Sequence, residues 1–279
     1  MTPLEILLLV AAGALYLLSL ILVRARLAMQ GFASIVAALV FHLASAIVRW
    51  AGVGHPPIFG TYEAALAASW FLALFVSFSF RSVKGQFELL VLTALPAALL
   101  LVAYGIAFFG TESIPLTISE RSLWVDFHAL FAWLAFAPFT LALCLSVYSL
   151  RSIPGEHAGA GAREQRRPLL EPGLADELAF RYVAFGFFNH SVMFALGSYY
   201  SARLFGAWWR WDPIFSLSVV AWLLTGLYIH LRLFYNWNGR RAARLYLLVF
   251  ALMALSYWGL VHLPGERTFH VFDLDLKLL

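Results

Sequence analysis

Apolar residues run through this chain in eight long blocks separated by short polar segments. The blocks span roughly residues 4–23, 29–49, 62–80, 87–109, 123–149, 179–203, 214–234 and 244–263. A run of about 20 apolar residues is long enough to cross a bilayer as a helix. Because backbone polar groups must be satisfied inside the bilayer, helices are expected for runs of this length. The pattern predicts an all-α, polytopic membrane protein with about eight transmembrane helices.

Composition supports this class. The chain is 62% hydrophobic and only 12% charged, with a mean hydropathy of +0.82, and a soluble domain would carry about twice that charged fraction. No stretch is left for a sizeable soluble domain, so residues 1–279 are expected to form one transmembrane domain. The first apolar block is full length and no basic segment precedes it, which argues against a cleavable signal peptide.

The polar connections predict an orientation. Thirteen of the 19 Lys and Arg residues fall in connections on one side of the predicted bundle, and six on the other. The positive-inside rule places the richer side in the cytoplasm, so both termini are expected outside a bacterial-type inner or plasma membrane. The long polar segment at about 151–178 contains several Pro and Gly residues and reads as a flexible cytoplasmic linker.

One polar segment stands out on the predicted outer side. The loop at about 204–214 contains Trp208, Trp209, Arg210, Trp211 and Asp212 within five positions. Single aromatic residues at helix ends are ordinary in membrane proteins, where they form a belt at the interface. A contiguous cluster ended by a proline favours instead a flat aromatic platform for a large planar ligand. Asp212 suits either a role in orienting side chains or the capping of the next helix.

These residues resemble the tryptophan-rich WWD signature of the haem-handling membrane proteins of cytochrome c biogenesis, best the CcsA-type or ResC-type family. Other similar segments, spread over most of the chain, are His42 to Trp50, Pro57 to Ala64, Leu123 to His128 and Trp222 to Arg232. There are two departures. The family usually has Lys-Glu where this chain has Ile214 and Phe215, and its Gly-Leu-His-Ser-Tyr segment is replaced around His270.

The resemblance implies a function in which haem is bound and delivered to apocytochrome c on the outer face of the membrane. It implies a place in a cytochrome c haem lyase (synthase) complex, with a CcsB-like membrane protein as partner. His128 and His270 match the two external haem histidines, and His230 matches a histidine within the membrane. The role of His42, at a similar family position, is open.

The residue types agree with an outer haem site. His128 lies about 8 Å below the outer surface, and His270 follows the last helix on that side. Two imidazoles on opposite sides of one iron would supply the axial nitrogens. The three loop tryptophans offer apolar surface, and Arg210 and Arg121 are candidates for pairing the propionates. The chain has no Cys-x-x-Cys-His motif and one cysteine, Cys144, so non-covalent haem b is expected.

An inner site is also conceivable. Counted from the predicted helix ends, His190 and His230 both lie about 20 Å below the outer face. They could form a bis-histidine haem site, although a lone membrane histidine commonly serves a hydrogen bond between helices. The resemblance carries over His230 but not His190, and implies that a second protein supplies the partner ligand. The other histidines, His55, His157 and His262, are expected at interfaces, with His262 as a fallback for His270.

Two other function classes stay open at this point. One is a haem-b-bearing or structural subunit of a membrane electron-transfer complex, which the altered positions 214 and 215 and the additional His190 favour. The other is a HemX-like regulator of haem synthesis, similar in fold and length. A haem lyase needs an outer site open to a large protein, whereas an electron-transfer subunit keeps its haem buried.

Overall fold

A computed structural model describes residues 1–108, 116, 121–152 and 168–259. Within these ranges eight α-helices are present and no β-strand. The helices are α1 (Pro3–Arg24), α2 (Ala28–Val53), α3 (Gly60–Phe78), α4 (Gln86–Phe108), α5 (Leu123–Ser152), α6 (Pro172–Phe205), α7 (Pro213–Tyr235) and α8 (Arg240–Ala254). A 3₁₀ turn, Ser79–Arg81, follows α3, and a π-helical turn, Leu255–Gly259, follows α8. The predicted all-α fold is confirmed.

The helices are those of a multi-pass membrane protein. Among the described residues, seven segments are long and apolar enough to cross a membrane, and α6 is the one helix outside that set. With 34 residues α6 is nevertheless the longest helix, and it packs along α5 and α7. Which side of the membrane the termini face is not tested by the structure and stays a prediction.

Consecutive helices run antiparallel, which brings alternate connections to the same end of the bundle. Ser45 near the end of α2 donates to the carbonyl of Glu5 at the start of α1 (3.2 Å). At the opposite end, Ser149 near the end of α5 donates to the carbonyl of Pro172 at the start of α6 (3.2 Å). The connection between α6 and α7, residues 206–212, is called the tryptophan loop here, and the end that carries it is called the loop end.

The start of α6 differs from the sequence pattern. This helix begins at Pro172, seven residues before the predicted 179, and α5 continues to Ser152. Proline is well tolerated in a first helical turn, because its missing N–H would have no intrahelical partner there. The added turns carry Asp176, whose carboxylate lies 2.5 Å from Arg232 on α7 in a buried ion pair. The segment predicted as a linker at 151–178 is therefore helical at both ends.

Close packing between α5 and α6 forms the centre of the bundle. Phe139 on α5 is 1% exposed and lies against Gly186 of α6, where an added Cβ would fall 2.6 Å from the ring. Small residues at such contacts let helix backbones approach each other in a membrane protein. The carbonyl of Phe139 also accepts a 2.7 Å hydrogen bond from Tyr246 of α8, so three helices are joined at this level.

Candidate functional site

The tryptophan loop is fixed at both ends by helix caps. Gly206 ends α6 in the left-handed conformation (φ 72°), and its N–H donates to the carbonyl of Ala202. Asp212 caps α7: its carboxylate accepts the N–H of Phe215 at 3.0 Å, and the residue is 3% exposed. The loop spans seven residues, since the helices continue closer to it than the predicted 204–214. The structure therefore shows Asp212 as the N-cap of α7.

The loop tryptophans are exposed but not coplanar. Trp208 and Trp211 are 64% and 87% exposed, and Trp209 is 37% exposed. The rings of Trp209 and Trp211 meet edge to face, with centroids 5.4 Å apart and planes at 82°. The expectation of a flat platform is therefore wrong in detail, because the charge distribution of aromatic rings favours edge-to-face contacts over coplanar ones. What the loop presents is an apolar surface with more than one face.

The two arginines predicted to pair propionates lie at the loop end. The guanidinium of Arg210 lies 4.2 Å from the ring centroid of Phe205, the last residue of α6. This stacking holds the arginine beside the tryptophans, as cation–π contacts do. Arg121 precedes α5 and is exposed. Both are in the region where an anionic group of a ligand on the loop would be placed.

His128 lies on α5 and packs directly onto α6. Its Nδ1 is 2.9 Å from the carbonyl oxygen of Met193. A Cβ added at Gly197, one turn further along, would fall 2.9 Å from the His128 ring. A carbonyl only accepts hydrogen bonds, so Nδ1 carries the hydrogen and Nε2 carries the lone pair. Metal-binding histidines are commonly oriented in this way.

A series of ring contacts links the helix of His128 to the tryptophan loop. Trp124, one turn before His128, lies 4.5 Å from Tyr199 between ring centroids, and Tyr199 lies 6.4 Å from Trp208. The structure therefore places His128 and the loop at the same end of the bundle. His270, the expected second ligand, lies outside the described residues, as do His157 and His262. The expected pairing of His128 with His270 stays a prediction.

His190 and His230 are not brought together. His190 is fully buried, whereas His230 is exposed on α7, beside the rings of Phe234 and Tyr235 of the same helix. Trp222 of α7 donates to Ser191 of α6 at 2.8 Å, which sets the register of the two helices. His230 lies eight residues beyond Trp222, about 12 Å along the axis. The sequence predicted equal depths for His190 and His230 because residues were counted from the end of each helix. Such counting cannot detect that α6 and α7 are shifted along their axes relative to each other.

His42 has a different environment from the other candidates. It is 1% exposed on α2, and its Nδ1 lies 3.4 Å from the hydroxyl of Tyr16 on α1. Its Nε2 has no hydrogen-bond partner among the described residues. The contact with Tyr16 joins the first two helices, and no contact with the tryptophan loop is present in the described part of the chain.

A buried charge cluster at the loop end was missed at the sequence level. Arg49 of α2 lies 2.5 Å from Glu63 of α3 and 3.5 Å from Glu5 of α1, and all three are at most 4% exposed. Glu63 also accepts the N–H of Phe59 at 3.0 Å. Arg49 and Glu63 both lie in segments that carry the family resemblance, but only the fold shows that they pair.

Two aromatic residues were also missed. Phe215 lies 4.6 Å from Trp209 and 5.8 Å from Phe194 between ring centroids, and Phe194 stacks on His190 at 4.9 Å. Phe215 is one of the positions where this chain departs from the family pattern. This departure could have identified Phe215 from the sequence, since it places an aromatic ring in the first helical turn after the tryptophan loop.

The site has the chemistry of imidazole, indole and guanidinium groups. Among the described residues, no group of three or more His, Cys, Asp or Glu side chains could hold a metal ion.

The chain is similar to known proteins over most of its length. A family model described as "Cytochrome C assembly protein" matches residues 58–264. A relative from Synechococcus sp. (strain RCC307) is 28% identical over 258 residues, covering 83% of this chain and 81% of the relative. One from Thermosynechococcus vestitus is 26% identical over 255 residues, covering 78% and 79%. One from Pyropia yezoensis is 25% identical over 250 residues, covering 76% and 77%. All three are named cytochrome c biogenesis protein CcsA.

Proposed function

This chain belongs to the cytochrome c assembly protein family, and from that premise we propose that it binds haem beside the tryptophan loop and presents it to apocytochrome c. One observation carries the proposal. The ring of His128 is oriented by the Met193 carbonyl at the same end of the bundle as the exposed tryptophans. An oriented imidazole next to exposed aromatic surface is what an axial ligand and a haem-binding face require.

The residues fit haem in three respects. The hydrogen bond to Met193 uses Nδ1, so Nε2 would be the atom of His128 that binds iron. Trp208 and Trp211 expose apolar surface that a macrocycle would cover, and large exposed apolar side chains commonly mark binding sites. Arg210, with Arg121, would pair the propionates, because a guanidinium binds a carboxylate bidentately. His270 would be the second residue that binds the iron, and the haem would be non-covalent haem b, because the one cysteine, Cys144, lies within α5.

When bound, haem supplies the reactive groups, its vinyls, and the protein supplies binding, orientation and exclusion of water. Attachment is a reaction in which a cysteine S–H of apocytochrome c adds across a vinyl double bond of the haem. The sulfur bonds to one vinyl carbon and the hydrogen goes to the other, so no oxidant is consumed. For this the tryptophan loop must be open to a large protein on the outer side of the membrane, and the exposure of its side chains suits that role.

A second haem contact at His230 would involve another protein. His230 is exposed on the side of α7, among Leu227, Leu233 and Phe234, which are 44–70% exposed. Such a position is reachable by a histidine of a neighbouring membrane protein. We therefore place the CcsB-like partner against this face of α7, with apocytochrome c at the tryptophan loop.

The proposal is tested by the optical spectrum and pyridine haemochrome assay of the purified full-length chain. His128→Ala and His270→Ala should each remove the same spectral component. Added imidazole should restore it in His128→Ala, because the cavity left beside the iron has the size of the lost ring. A colourless protein after expression with ample haem would contradict the proposal, as would haem that survives acid–acetone extraction and is therefore covalent.

An electron-transfer subunit is the second candidate, and the burial of His190 favours it, since such a subunit holds its haem away from solvent. The proteins that copurify discriminate between the two. A CcsB-like protein and an apocytochrome support haem delivery, whereas oxidoreductase subunits support electron transfer.

A further inference from the structure

His190 shares a face of α6 with the residues that hold His128. Positions 190, 193 and 197 are three and four residues apart, so they lie in one stripe along the helix. The His128 ring contacts the carbonyl of Met193 and packs against Gly197, where the missing side chain leaves room for it. His190 is therefore only three to seven residues deeper along α6 than His128, about 5–10 Å at 1.5 Å per residue. By contrast, His230 is about 12 Å from the level of Ser191.

The His190 imidazole is buried with neither nitrogen satisfied. It is 0% exposed, and neither Nδ1 nor Nε2 has a hydrogen-bond partner among the described residues. A buried polar group without a partner destabilises the folded state, and most such groups in native proteins are paired. A histidine that only joined two helices would use at least one ring nitrogen for that contact, as His42 does with Tyr16. Within the described part of the chain, the His190 ring is instead held by apolar contacts.

Those apolar contacts continue to the tryptophan loop. Phe194 stacks nearly parallel to His190, with centroids 4.9 Å apart and planes at 19°, and Phe139 packs against the ring at 5.8 Å. Phe194 contacts Phe215, and Phe215 contacts Trp209 at 4.6 Å. An unbroken series of aromatic rings therefore runs between α6 and α7 from the loop to the unsatisfied imidazole. Aromatic surface that ends at a nitrogen donor matches a planar apolar ligand with a metal at its centre.

We propose that His190 is a second iron ligand for haem within this chain, deeper along α6 than His128 and connected to the tryptophan loop through Phe194 and Phe215. This inference rests on the proposed function, because it assigns a further contact for the same ligand. His190 and His128 then form one continuous binding region of α5 and α6, separate from the exposed His230. His190 can hold the iron when His128 does not, and the aromatic series supplies the apolar environment for the ring.

The test compares haem binding by full-length variants purified in detergent and titrated with haemin. His128→Ala should retain a haem component with an altered spectrum. Adding His190→Leu to it should weaken binding by at least about tenfold, as expected for loss of an iron ligand and its oriented surroundings. His42→Leu on the same background is the matched control, since His42 is also a buried helical histidine with an unsatisfied Nε2. It should change nothing in the spectrum.

Two further measurements separate ligation from folding. His190→Leu without haem should melt at the same temperature as the wild type or higher, because it removes an unsatisfied buried polar group. His190→Met on the His128→Ala background should shift the spectrum and not abolish it, since a thioether can still bind iron. The assignment of His190 is overturned if His128→Ala binds no haem, or if adding His190→Leu leaves the spectrum and affinity of His128→Ala unchanged. If the wild type itself binds no haem, the proposed function fails as well.

Discussion

At the scale of single residues, the position of His128 depends on the absence of a side chain on the facing helix. Gly197 provides the space, since a Cβ there would lie 2.9 Å from two atoms of the imidazole. The ring cannot easily move away from Gly197, because its Nδ1 is also hydrogen-bonded to the Met193 carbonyl. The sequence marks His128 as a ligand candidate, but it does not show which residue of α6 receives the ring.

We therefore predict that Gly197→Ala displaces His128 and lowers the haem content several-fold without preventing membrane insertion. Gly13→Ala is the matched control, because a Cβ at this helical glycine of α1 meets nothing within 4 Å. Haem content by pyridine haemochrome and protein yield in the membrane fraction are the two measurements. Equal haem content in both variants would contradict the proposed contact between His128 and Gly197.

The buried cluster of Arg49, Glu5 and Glu63 also makes a prediction at this scale. Removing one partner of a buried ion pair leaves an uncompensated charge and commonly destabilises a protein by about 3–5 kcal/mol. We expect Arg49→Leu to lower the thermal unfolding temperature strongly. Arg181→Leu is the control, since its pair with Glu177 is 70% and 45% exposed and exposed pairs contribute less than about 1 kcal/mol. Similar unfolding temperatures in the two variants would show that the cluster does not stabilise the fold.

At the scale of elements, the number and type of helices follow from the sequence, whereas their register does not. Apolar blocks of about 20 residues specify a spanning helix almost regardless of neighbours. The early start of α6 at Pro172 depends on the pair of Asp176 with Arg232, which is 56 residues away in sequence. The offset of α6 and α7 likewise depends on side-chain packing, seen in the bond of Trp222 to Ser191. For this reason the predicted levels of His190 and His230 agreed while the observed levels differ.

Substitutions of Asp212 can distinguish its role as the N-cap of α7 from a direct contact with haem. Asp212→Ala removes the hydrogen bond to the N–H of Phe215, which typically costs about 1 kcal/mol. It should weaken haem retention by loosening the loop, without blocking insertion, since the loop lies outside the spanning helices. Asp212→Asn keeps a capping oxygen and should retain most of the haem. If Asn behaves like Ala, the charge of Asp212 matters and capping alone does not explain its role.

At the scale of the whole molecule, the orientation in the membrane is a prediction from charge alone. It can be tested on a Cys144→Ser background, which leaves the chain without cysteine. Trp211→Cys, at an 87% exposed position of the tryptophan loop, should react with a membrane-impermeant thiol reagent in intact cells. Asn238→Cys, in the connection between α7 and α8 at the opposite end, should react only after the cells are opened. The reverse pattern would place the tryptophan loop in the cytoplasm and exclude attachment on the outer face.

The last prediction concerns how much of the haem-handling machinery one chain contains. His128 and His190 lie along the contact of α5 with α6, whereas His230 lies on the exposed side of α7. His230→Ala should therefore leave the haem spectrum of the isolated chain unchanged, and should remove a component only when a CcsB-like partner is coexpressed. His128→Ala should act in both preparations, because the residues that orient its ring, Met193 and Gly197, belong to this chain. If His230→Ala and His128→Ala abolish one and the same component in the isolated chain, the separation of more than about 12 Å between their levels is wrong, since no iron–nitrogen bond spans it.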